Sequence, residues 1–288
     1  MSLPKISRVL ADGVLVFYRY AGSPTNPTLL LLHGYPSSSF YFRNLMPLLS
    51  TKYHVVAPDY PGFGFTEVPG SRNYTYTFEN LTTTVGKFLD ALQISKFALY
   101  IYDFGAPIGL RLALQRPSAI TALITQNGNA YDEGLGERWK VPREFWATNS
   151  PDLRAAIRAQ VTDFERTKGQ YVNGAVDGGG HVEPEAYHLD YALLQRPGVV
   201  DAMVDLFYDY RTNVQMYPEF QRYLREKKPP VLVAWGKNDV SFIPPGAEAF
   251  KKDVPDAEVH LVEGGHFALA GTEETFAKLI LEFFERRL

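Results

Sequence analysis

The sequence predicts an α/β fold, with a mostly parallel sheet of about eight strands, helices on both faces and an inserted helical cap. Short apolar runs bounded by turn residues, such as residues 28–32 and 97–101, are typical of buried parallel strands. Helical periodicity falls between these runs, as crossover connections require. From about residue 128 to 218 the alternation stops and helical periodicity dominates, which indicates an insertion.

The sequence predicts eight strands. They cover residues 5–10, 15–20, 28–32, 54–57, 97–101, 121–125, 231–235 and 258–262. Asp12 and Gly13 indicate a hairpin turn between the first two strands. Helices are predicted at residues 81–92 and 272–287. We therefore expect a core of residues 1–128 and 217–288, with residues 129–216 forming the cap.

Composition excludes several classes of function. The 29 basic and 32 acidic residues give a net charge of −3, with no basic block, so nucleic acid and anionic membranes are not expected partners. The absence of cysteine excludes a thiol nucleophile and a disulfide framework. The first ten residues lack the apolar stretch of a secretion signal, and no run is long enough to span a membrane. The expected location is the cytoplasm.

One strand leads directly into a turn that suits a nucleophile. The apolar run of residues 97–101 continues into Tyr102 and Asp103, and a helical pattern starts at once. In a strand–nucleophile–helix elbow, a small residue two positions after the nucleophile lets the helix pass close by, and Gly105 meets this requirement. Ile101 stands where such an elbow usually has glycine. Because a strand-end aspartate also caps helices, this motif alone does not decide the function.

Two further regions place reactive groups after strands. Residues 33–36 read HGYP, a turn that can offer a backbone N–H to a developing oxyanion. Asp239 and His266 each follow a predicted strand near the end of the chain. The chain order of Asp103, Asp239 and His266 is the nucleophile, acid and base order of a known hydrolytic triad.

Over nearly its whole length the chain resembles the α/β-hydrolase superfamily, and within it the aspartate-nucleophile branch of epoxide hydrolases and haloalkane dehalogenases. The motifs that carry the resemblance are HGYP at 33–36, PDYPGFGFT at 58–66, YDFGAPIG at 102–109, WGKND at 235–239 and GGHF at 264–267. The resemblance implies an α/β-hydrolase fold with Asp103 as nucleophile. It also implies that Asp59, Gly62 and Gly64 shape a supporting loop.

An aspartate nucleophile suits displacement at an sp³ carbon, because the product is an alkyl ester that water can hydrolyse. Attack on an ester or amide would give an anhydride, so esterase, lipase and peptidase activities are disfavoured. We expect His266 to take a proton from water while Asp239 fixes its tautomer. Backbone N–H groups of Tyr35 and Phe104 are the expected oxyanion donors. No metal or organic cofactor is required.

The leaving group separates the two branches of the resemblance. An epoxide gives an alkoxide, which needs an O–H donor, and tyrosine suits this role. Tyr210 and Arg211 resemble the pair that carries one ring-opening tyrosine of epoxide hydrolases, which implies that Tyr210 is a donor. Tyr171 is the leading candidate for the second donor, ahead of Tyr187 and Tyr191. The alternative is that these tyrosines only pack within the cap.

A halide would instead need N–H donors. Many haloalkane dehalogenases have asparagine and tryptophan at the positions of Tyr35 and Phe104, so this chain lacks that pair. Other residues could supply an N–H group: Trp139, Trp146, Asn127 and Asn129. The predicted pocket residues are His33, Pro36, Trp139 and Trp146.

The substrate expected from these patterns is small and apolar or aromatic. Fluoroacetate dehalogenases share the aspartate elbow and are expected to have arginines beside the nucleophile, whereas Phe104 and Pro107 stand there. A small anionic substrate is therefore not expected. The leading hypothesis is an epoxide hydrolase that forms a vicinal diol. The alternatives are a haloalkane dehalogenase and a non-catalytic ligand-binding protein, and the choice between monomer and homodimer stays open.

Overall fold

A computed structural model describes residues 3–288. Met1 and Ser2, the first residues of the predicted core, lie outside the described residues. Eight strands form one sheet in the order β1-β2-β4-β3-β5-β6-β7-β8. The strands are β1 (Lys5–Ala11), β2 (Val14–Ala21), β3 (Thr28–Leu32), β4 (His54–Pro58), β5 (Phe97–Tyr102), β6 (Ile120–Gln126), β7 (Val231–Gly236) and β8 (Glu258–Val262). Strand β2 pairs antiparallel with β1 and β4, and all other pairs are parallel.

Eleven α-helices accompany the sheet in the described part of the chain. They are α1 (Leu45–Leu49), α2 (Phe78–Ala91), α3 (Gly105–Gln115), α4 (Lys140–Thr148), α5 (Pro151–Val161), α6 (Phe164–Val172), α7 (Pro184–Leu194), α8 (Val199–Asp209), α9 (Arg211–Lys227), α10 (Pro245–Ala249) and α11 (Glu273–Arg287). The fold class predicted from the sequence is confirmed. Helix α2 begins three residues before the predicted start, because the Thr77 side chain caps it by accepting a hydrogen bond from the Asn80 N–H.

The central strands are apolar on both faces because helices cover both faces. Every residue of β5 and β7 is buried. Side chains alternate across a strand, so Leu30 and Leu32 of β3 enter one core layer while Leu29 and Leu31 enter the other. At the sheet edge, Asp12 and Gly13 both have positive φ and join β1 to β2 in the predicted two-residue hairpin turn.

The segment between β6 and β7 contains helices α4 to α9. Helix α9 runs without interruption from Arg211 to Lys227, so the predicted cap boundary at 216/217 falls inside a helix that includes Pro218. Arg111 of α3 donates a 3.0 Å hydrogen bond to Asn213 Oδ1, which attaches α9 to the core. None of the helices in residues 3–288 has the length and apolar character needed to cross a bilayer.

Candidate functional site

Asp103 occupies a strained turn between β5 and α3. Its φ is +47°, in the left-handed region that residues with a side chain rarely adopt. A Cβ on Gly105 would lie 2.2 Å from the Leu32 carbonyl oxygen, so only glycine lets α3 pass this close to β3. A Cβ on Gly109 would lie 2.5 Å from Ile101 Cγ2. Gly109 therefore makes the room for Ile101, which explains how the elbow forms without the usual glycine at 101.

Asp103, His266 and Asp239 come together at the carboxyl end of the sheet. His266 Nδ1 is 2.8 Å from Asp239 Oδ2, and His266 Nε2 is 3.5 Å from Asp103 Oδ2. All three residues are buried. The imidazole thus lies between two carboxylates, in the arrangement of a nucleophile, a base and an orienting acid.

The two carboxylates determine the protonation state of His266. Burial lowers the pKa of His266, but the charges and hydrogen bonds of Asp239 and Asp103 outweigh this effect and raise the pKa to about 10. The resting imidazole is therefore a cation near neutral pH. Removing the charge of either carboxylate would lower this pKa.

Asn127 holds Asp239 in place. The Asn127 side-chain amide donates a 2.7 Å hydrogen bond to Asp239 Oδ2 and accepts one from the Gly236 N–H. The Ser241 N–H donates to the other oxygen of Asp239 at 2.7 Å. The structure does not support the suggestion that Asn127 is a halide donor, because its amide is bonded to the acid and to the end of β7 and it does not line the pocket.

The HGYP turn brings a backbone donor to the nucleophile. The Tyr35 N–H donates a 2.6 Å hydrogen bond to Asp103 Oδ1. A Cβ on Gly34 would lie 2.3 Å from Asp103 Cβ, so glycine is required for this approach. The Phe104 N–H makes no hydrogen bond to Asp103, and its part in an oxyanion hole stays a prediction.

Residues from the core and the cap enclose a pocket above Asp103 and His266. Its apolar walls are Tyr35, Phe104, Trp139, Pro142, Phe207 and Phe242, and its polar walls are Arg138, Arg166, Gln170 and Ser241. Trp139 was predicted to lie here. His33 and Pro36 were also predicted, but neither lines the pocket. His33 lies outside the pocket because its fully buried ring stacks on Tyr60, at a centroid distance of 4.1 Å. This burial lowers the pKa of His33 to about 3.

Tyr210 lies one layer behind the pocket wall. Its ring packs against Trp139, at a centroid distance of 4.6 Å, and against Phe104, at 5.8 Å. Its buried hydroxyl lies near that of Tyr217 but makes no hydrogen bond. Tyr210 does not line the pocket, so its position does not support the predicted contact with a leaving group.

Tyr171 does not line the pocket, so its position does not support the predicted role as second donor. Its hydroxyl donates to the buried carboxyl of Asp190, and its ring stacks on Phe267 at 3.8 Å. Burial raises the pKa of Asp190 to about 8, although the Tyr171 hydrogen bond opposes this shift. The lesser candidates also lie outside the pocket lining, since Tyr187 packs against Tyr171 and Tyr191 donates to the Thr162 carbonyl.

The N–H donors predicted for a halide are bonded elsewhere. Trp139 Nε1 donates to the Ser241 carbonyl at 2.9 Å, and Trp146 Nε1 donates to the Phe207 carbonyl at 2.7 Å. Trp146 does not line the pocket, because it packs behind Trp139. The Asn129 amide donates to the Tyr131 carbonyl at 2.7 Å.

The sequence interpretation missed two arginines in the pocket wall. Arg138 and Arg166 line the pocket above Asp103, 28 positions apart in the cap. Neither has a local pattern that marks it, because both belong to exposed, charged stretches. Only a fold that joins the start of the cap to α6 brings them together.

The loop of residues 58–66 supports the site, as the resemblance implied. Asp59 accepts hydrogen bonds of 2.7 Å from the Ser39 N–H and the Phe65 N–H. A Cβ on Gly64 would lie 1.9 Å from Asp59 Oδ2, and Gly64 has a positive φ. In residues 3–288, no three His, Asp or Glu side chains are placed so that they could hold a metal ion.

Comparisons with known proteins identify the family. Residues 27–271 match the family model of the alpha/beta hydrolase fold. An uncharacterized hydrolase of Saccharomyces cerevisiae is 49% identical over 276 residues, covering 95% of this chain and 94% of that protein. Haloalkane dehalogenase 2 of Mycobacterium tuberculosis is 25% identical, covering 92% and 90%. The structure of epoxide hydrolase VrEH1 from Vigna radiata shares the fold with a TM-score of 0.76 and 21% identity, covering 98% of each chain. The chain therefore belongs to the alpha/beta hydrolase fold family and is a hydrolase of that fold.

Proposed function

We propose that the protein is an epoxide hydrolase, which converts an epoxide and water into a vicinal diol through an ester on Asp103. The observation that carries the proposal is the position of the Asp103 carboxylate at the pocket floor. One oxygen accepts the Tyr35 N–H, and the other lies 3.5 Å from His266 Nε2. A carboxylate in the nucleophile position forms a hydrolysable ester with an sp³ carbon.

In the first step, an Asp103 oxygen attacks an epoxide carbon, and the C–O bond of the ring breaks to leave an alkoxide. An alkoxide needs an O–H donor, and Tyr35 is the tyrosine that lines the pocket in the described part of the chain. Burial raises the pKa of the Tyr35 hydroxyl, while the nearby Arg166 guanidinium opposes that shift. We assign the proton donated to the alkoxide to this hydroxyl.

In the second step, water hydrolyses the ester. Esterification removes the charge of Asp103, one of the two carboxylates that hold the pKa of His266 at about 10. The imidazolium then releases a proton, which balances the proton lost by Tyr35. Neutral His266 takes a proton from water as water attacks the ester carbonyl, and Asp103 is regenerated with the diol.

Dehalogenation would use the same ester, and the relatives named above include both kinds of enzyme. The epoxide is favoured because the indole N–H groups of Trp139 and Trp146 are bonded to backbone carbonyls. The two indole groups that could hold a halide are therefore already engaged. We expect an apolar or aromatic body on the substrate, because aromatic side chains form most of the pocket wall.

Trapping of the ester tests the proposal. In a His266→Gln variant, the first step can proceed but the base for the second is missing. After exposure to styrene oxide, we expect the peptide that contains Asp103 to gain the mass of the substrate, and a double variant with Asp103→Ala to gain none. An unmodified peptide in His266→Gln, together with no diol from the parent enzyme, would refute the proposal. Bromide release from 1,2-dibromoethane without diol formation would favour the dehalogenase.

Tyr35→Phe tests the assigned donor. The variant keeps the backbone N–H and the ring but removes the hydroxyl. Because general acid catalysis contributes at least about 100-fold, we expect ring opening to slow by that factor. Unchanged formation of the Asp103 ester by Tyr35→Phe in the His266→Gln background would exclude Tyr35 as donor.

A further inference from the structure

We propose that the substrate carries a carboxylate beside its apolar body, and that Arg138 and Arg166 bind this carboxylate at the pocket mouth. This inference rests on the proposed function, since it names the class of epoxide. It replaces the expectation of a purely apolar substrate.

The two arginines come from separate parts of the cap. Arg138 lies in the 3₁₀ turn Glu137–Trp139 that precedes α4, and Arg166 lies in the first turn of α6. Both line the pocket whose floor is Asp103 and His266. Gln170, one turn beyond Arg166 on α6, lines the same pocket and adds an amide N–H. Both arginines remain exposed to solvent, so they stand at its entrance.

Neither pocket arginine is neutralised by a protein carboxylate. In residues 3–288, no Asp or Glu oxygen forms an ion pair with Arg138 or Arg166, whereas three neighbouring cap arginines are paired. These pairs are Arg143 with Asp132, Arg154 with Asp205 and Arg158 with Asp201. Partial burial lowers the pKa of Arg166 and the nearby Arg138 guanidinium lowers it further, while the Tyr35 hydroxyl and the Asp163 carboxylate oppose this shift. An anion between the two guanidinium groups would relieve their repulsion.

The charges of the whole site lead to the same ligand. His266 lies between the carboxylates of Asp103 and Asp239, so these two charges are already engaged with the imidazole. Arg138 and Arg166 line the same pocket without an ion pair to a carboxylate among residues 3–288, and Asp163 acts on Arg166 only at longer range. A substrate carboxylate would pair with the two guanidinium groups, and the planar guanidinium fork is suited to hold that group in two hydrogen bonds.

The arginines would also overcome a repulsion. An anionic substrate must approach the Asp103 carboxylate, and in a partly desolvated pocket this contact is unfavourable. Binding of the anion to Arg138 and Arg166 places it at the entrance, while Phe104, Phe207 and Phe242 hold the apolar part that carries the epoxide. The substrate class is therefore an amphipathic epoxy acid.

The first test measures binding without chemistry. The ligands are 3-phenylpropionate and its neutral isostere 3-phenylpropanamide, and isothermal calorimetry measures their affinity for the parent enzyme. Charge-assisted hydrogen bonds contribute more than neutral ones, so we expect the carboxylate to bind at least about tenfold more tightly. Arg138→Gln and Arg166→Gln should each reduce this preference, while the control Arg143→Gln should keep it, because Arg143 is paired with Asp132 outside the pocket.

The second test measures turnover of 3-phenylglycidate and 3-phenylglycidamide. We expect the ratio of their kcat/KM values to fall at least about tenfold in Arg138→Gln and Arg166→Gln. The ratio is the readout because a change in the acidity of Tyr35 would affect both substrates alike. High salt should reduce the ratio in the parent, since exposed charges are screened.

The outcomes separate this inference from the proposed function. Equal affinity for the acid and the amide in the parent, or an unchanged preference in both arginine variants, would overturn the carboxylate site even if epoxides are hydrolysed. A clear preference for the acid that is lost in the variants would support the site. If the enzyme then hydrolyses neither epoxide, the proposed function fails while the carboxylate site stands.

Discussion

The floor and the roof of the pocket use their polar groups in different ways. On the floor, backbone or side-chain N–H groups donate to Asp103 and Asp239, and one oxygen of each carboxylate lies next to a nitrogen of His266. The roof is formed by residues of the cap. There, the indole N–H groups of Trp139 and of Trp146, which packs behind it, donate hydrogen bonds to backbone carbonyls. Arg138 and Arg166, at the entrance, line the pocket without an ion pair to any carboxylate in residues 3–288.

This difference indicates that the floor is arranged for the reaction and the roof for the substrate. Groups that react must be held before the substrate arrives, because preorganised charges need no rearrangement in the transition state. The hydrogen bonds of the cap aromatics instead build the walls. Five changes test this division, and they follow in decreasing order of expected effect.

Asp239→Asn should have the largest effect on activity, because it removes the carboxylate that orients His266. An amide in place of the carboxylate no longer accepts reliably from His266 Nδ1 and no longer stabilises an imidazolium, so we expect kcat for styrene oxide to fall about 10⁴-fold. Steady-state kinetics measures the change. Asp132→Asn, in an exposed pair with Arg143, is the matched control and should lose less than about twofold. A loss below tenfold in Asp239→Asn would show that Asp239 does not orient the base.

Asp103→Asn should lower the pKa of His266 from about 10 by at least about one unit, because one of the two neighbouring charges disappears. The imidazole NMR signals measure the midpoint. The pKa of His266 in the folded protein lies above the value of about 6.5 for a free histidine. The ion pairs of His266 with the two carboxylates therefore stabilise the fold fully below about pH 6.5. The stabilisation is lost as the pH rises through 10 in the parent and at lower pH in the variant. An unchanged midpoint would contradict the arrangement.

Tyr171→Phe should affect stability more than activity. The change leaves the buried Asp190 without its hydrogen-bond donor, which costs about 1–3 kcal/mol in the free energy of unfolding. Urea unfolding measures this loss. Activity with styrene oxide should stay within about twofold, because Tyr171 does not line the pocket. A tenfold loss of activity with normal stability would return Tyr171 to the list of donors.

Asp190→Asn is the companion variant for pH. The folded pKa of Asp190 is raised to about 8, above the unfolded value of about 3.9. The folded state therefore binds the extra proton between these values, and the stability of the parent falls as the pH rises through this window. Asp190→Asn should remove that contribution to the slope. An unchanged slope in unfolding measurements from pH 4 to 8 would show that Asp190 is not protonated.

Trp146→Phe should have the smallest effect. It removes one hydrogen bond to the Phe207 carbonyl, so we expect a loss of about 1 kcal/mol in stability. If the indole takes no part in binding a leaving group, kcat stays within about twofold for both styrene oxide and 1,2-dibromoethane. A selective loss of bromide release would assign the indole to a halide and favour the dehalogenase.

Most of the fold and the floor could be predicted because their signals are local. The β5 run and the turn at Asp103 lie side by side in the sequence, and the order of Asp103, Asp239 and His266 follows from the fold class. Even the exception at Ile101 has its compensation eight residues later, at Gly109.

The roof could not be predicted because its contacts join distant positions. Trp139 donates to a carbonyl 102 residues away, and nothing near either position reveals that partner. Tyr210 matches a family pattern, yet it packs against Trp139 and Phe104 and does not line the pocket. Exposed arginines are usually solvated, so the sequence does not indicate that Arg138 and Arg166 line the pocket above Asp103.

The uninterrupted α9 helix has a practical consequence for building chimaeras with relatives. A graft that exchanged residues 129–216 would cut through α9 near Pro218 and divide a helix that Asn213 attaches to Arg111. A join after Lys228, where a left-handed residue ends α9 and two prolines lead into β7, would exchange complete helices. The complete set of inserted helices therefore ends about a dozen residues later than the sequence pattern suggests.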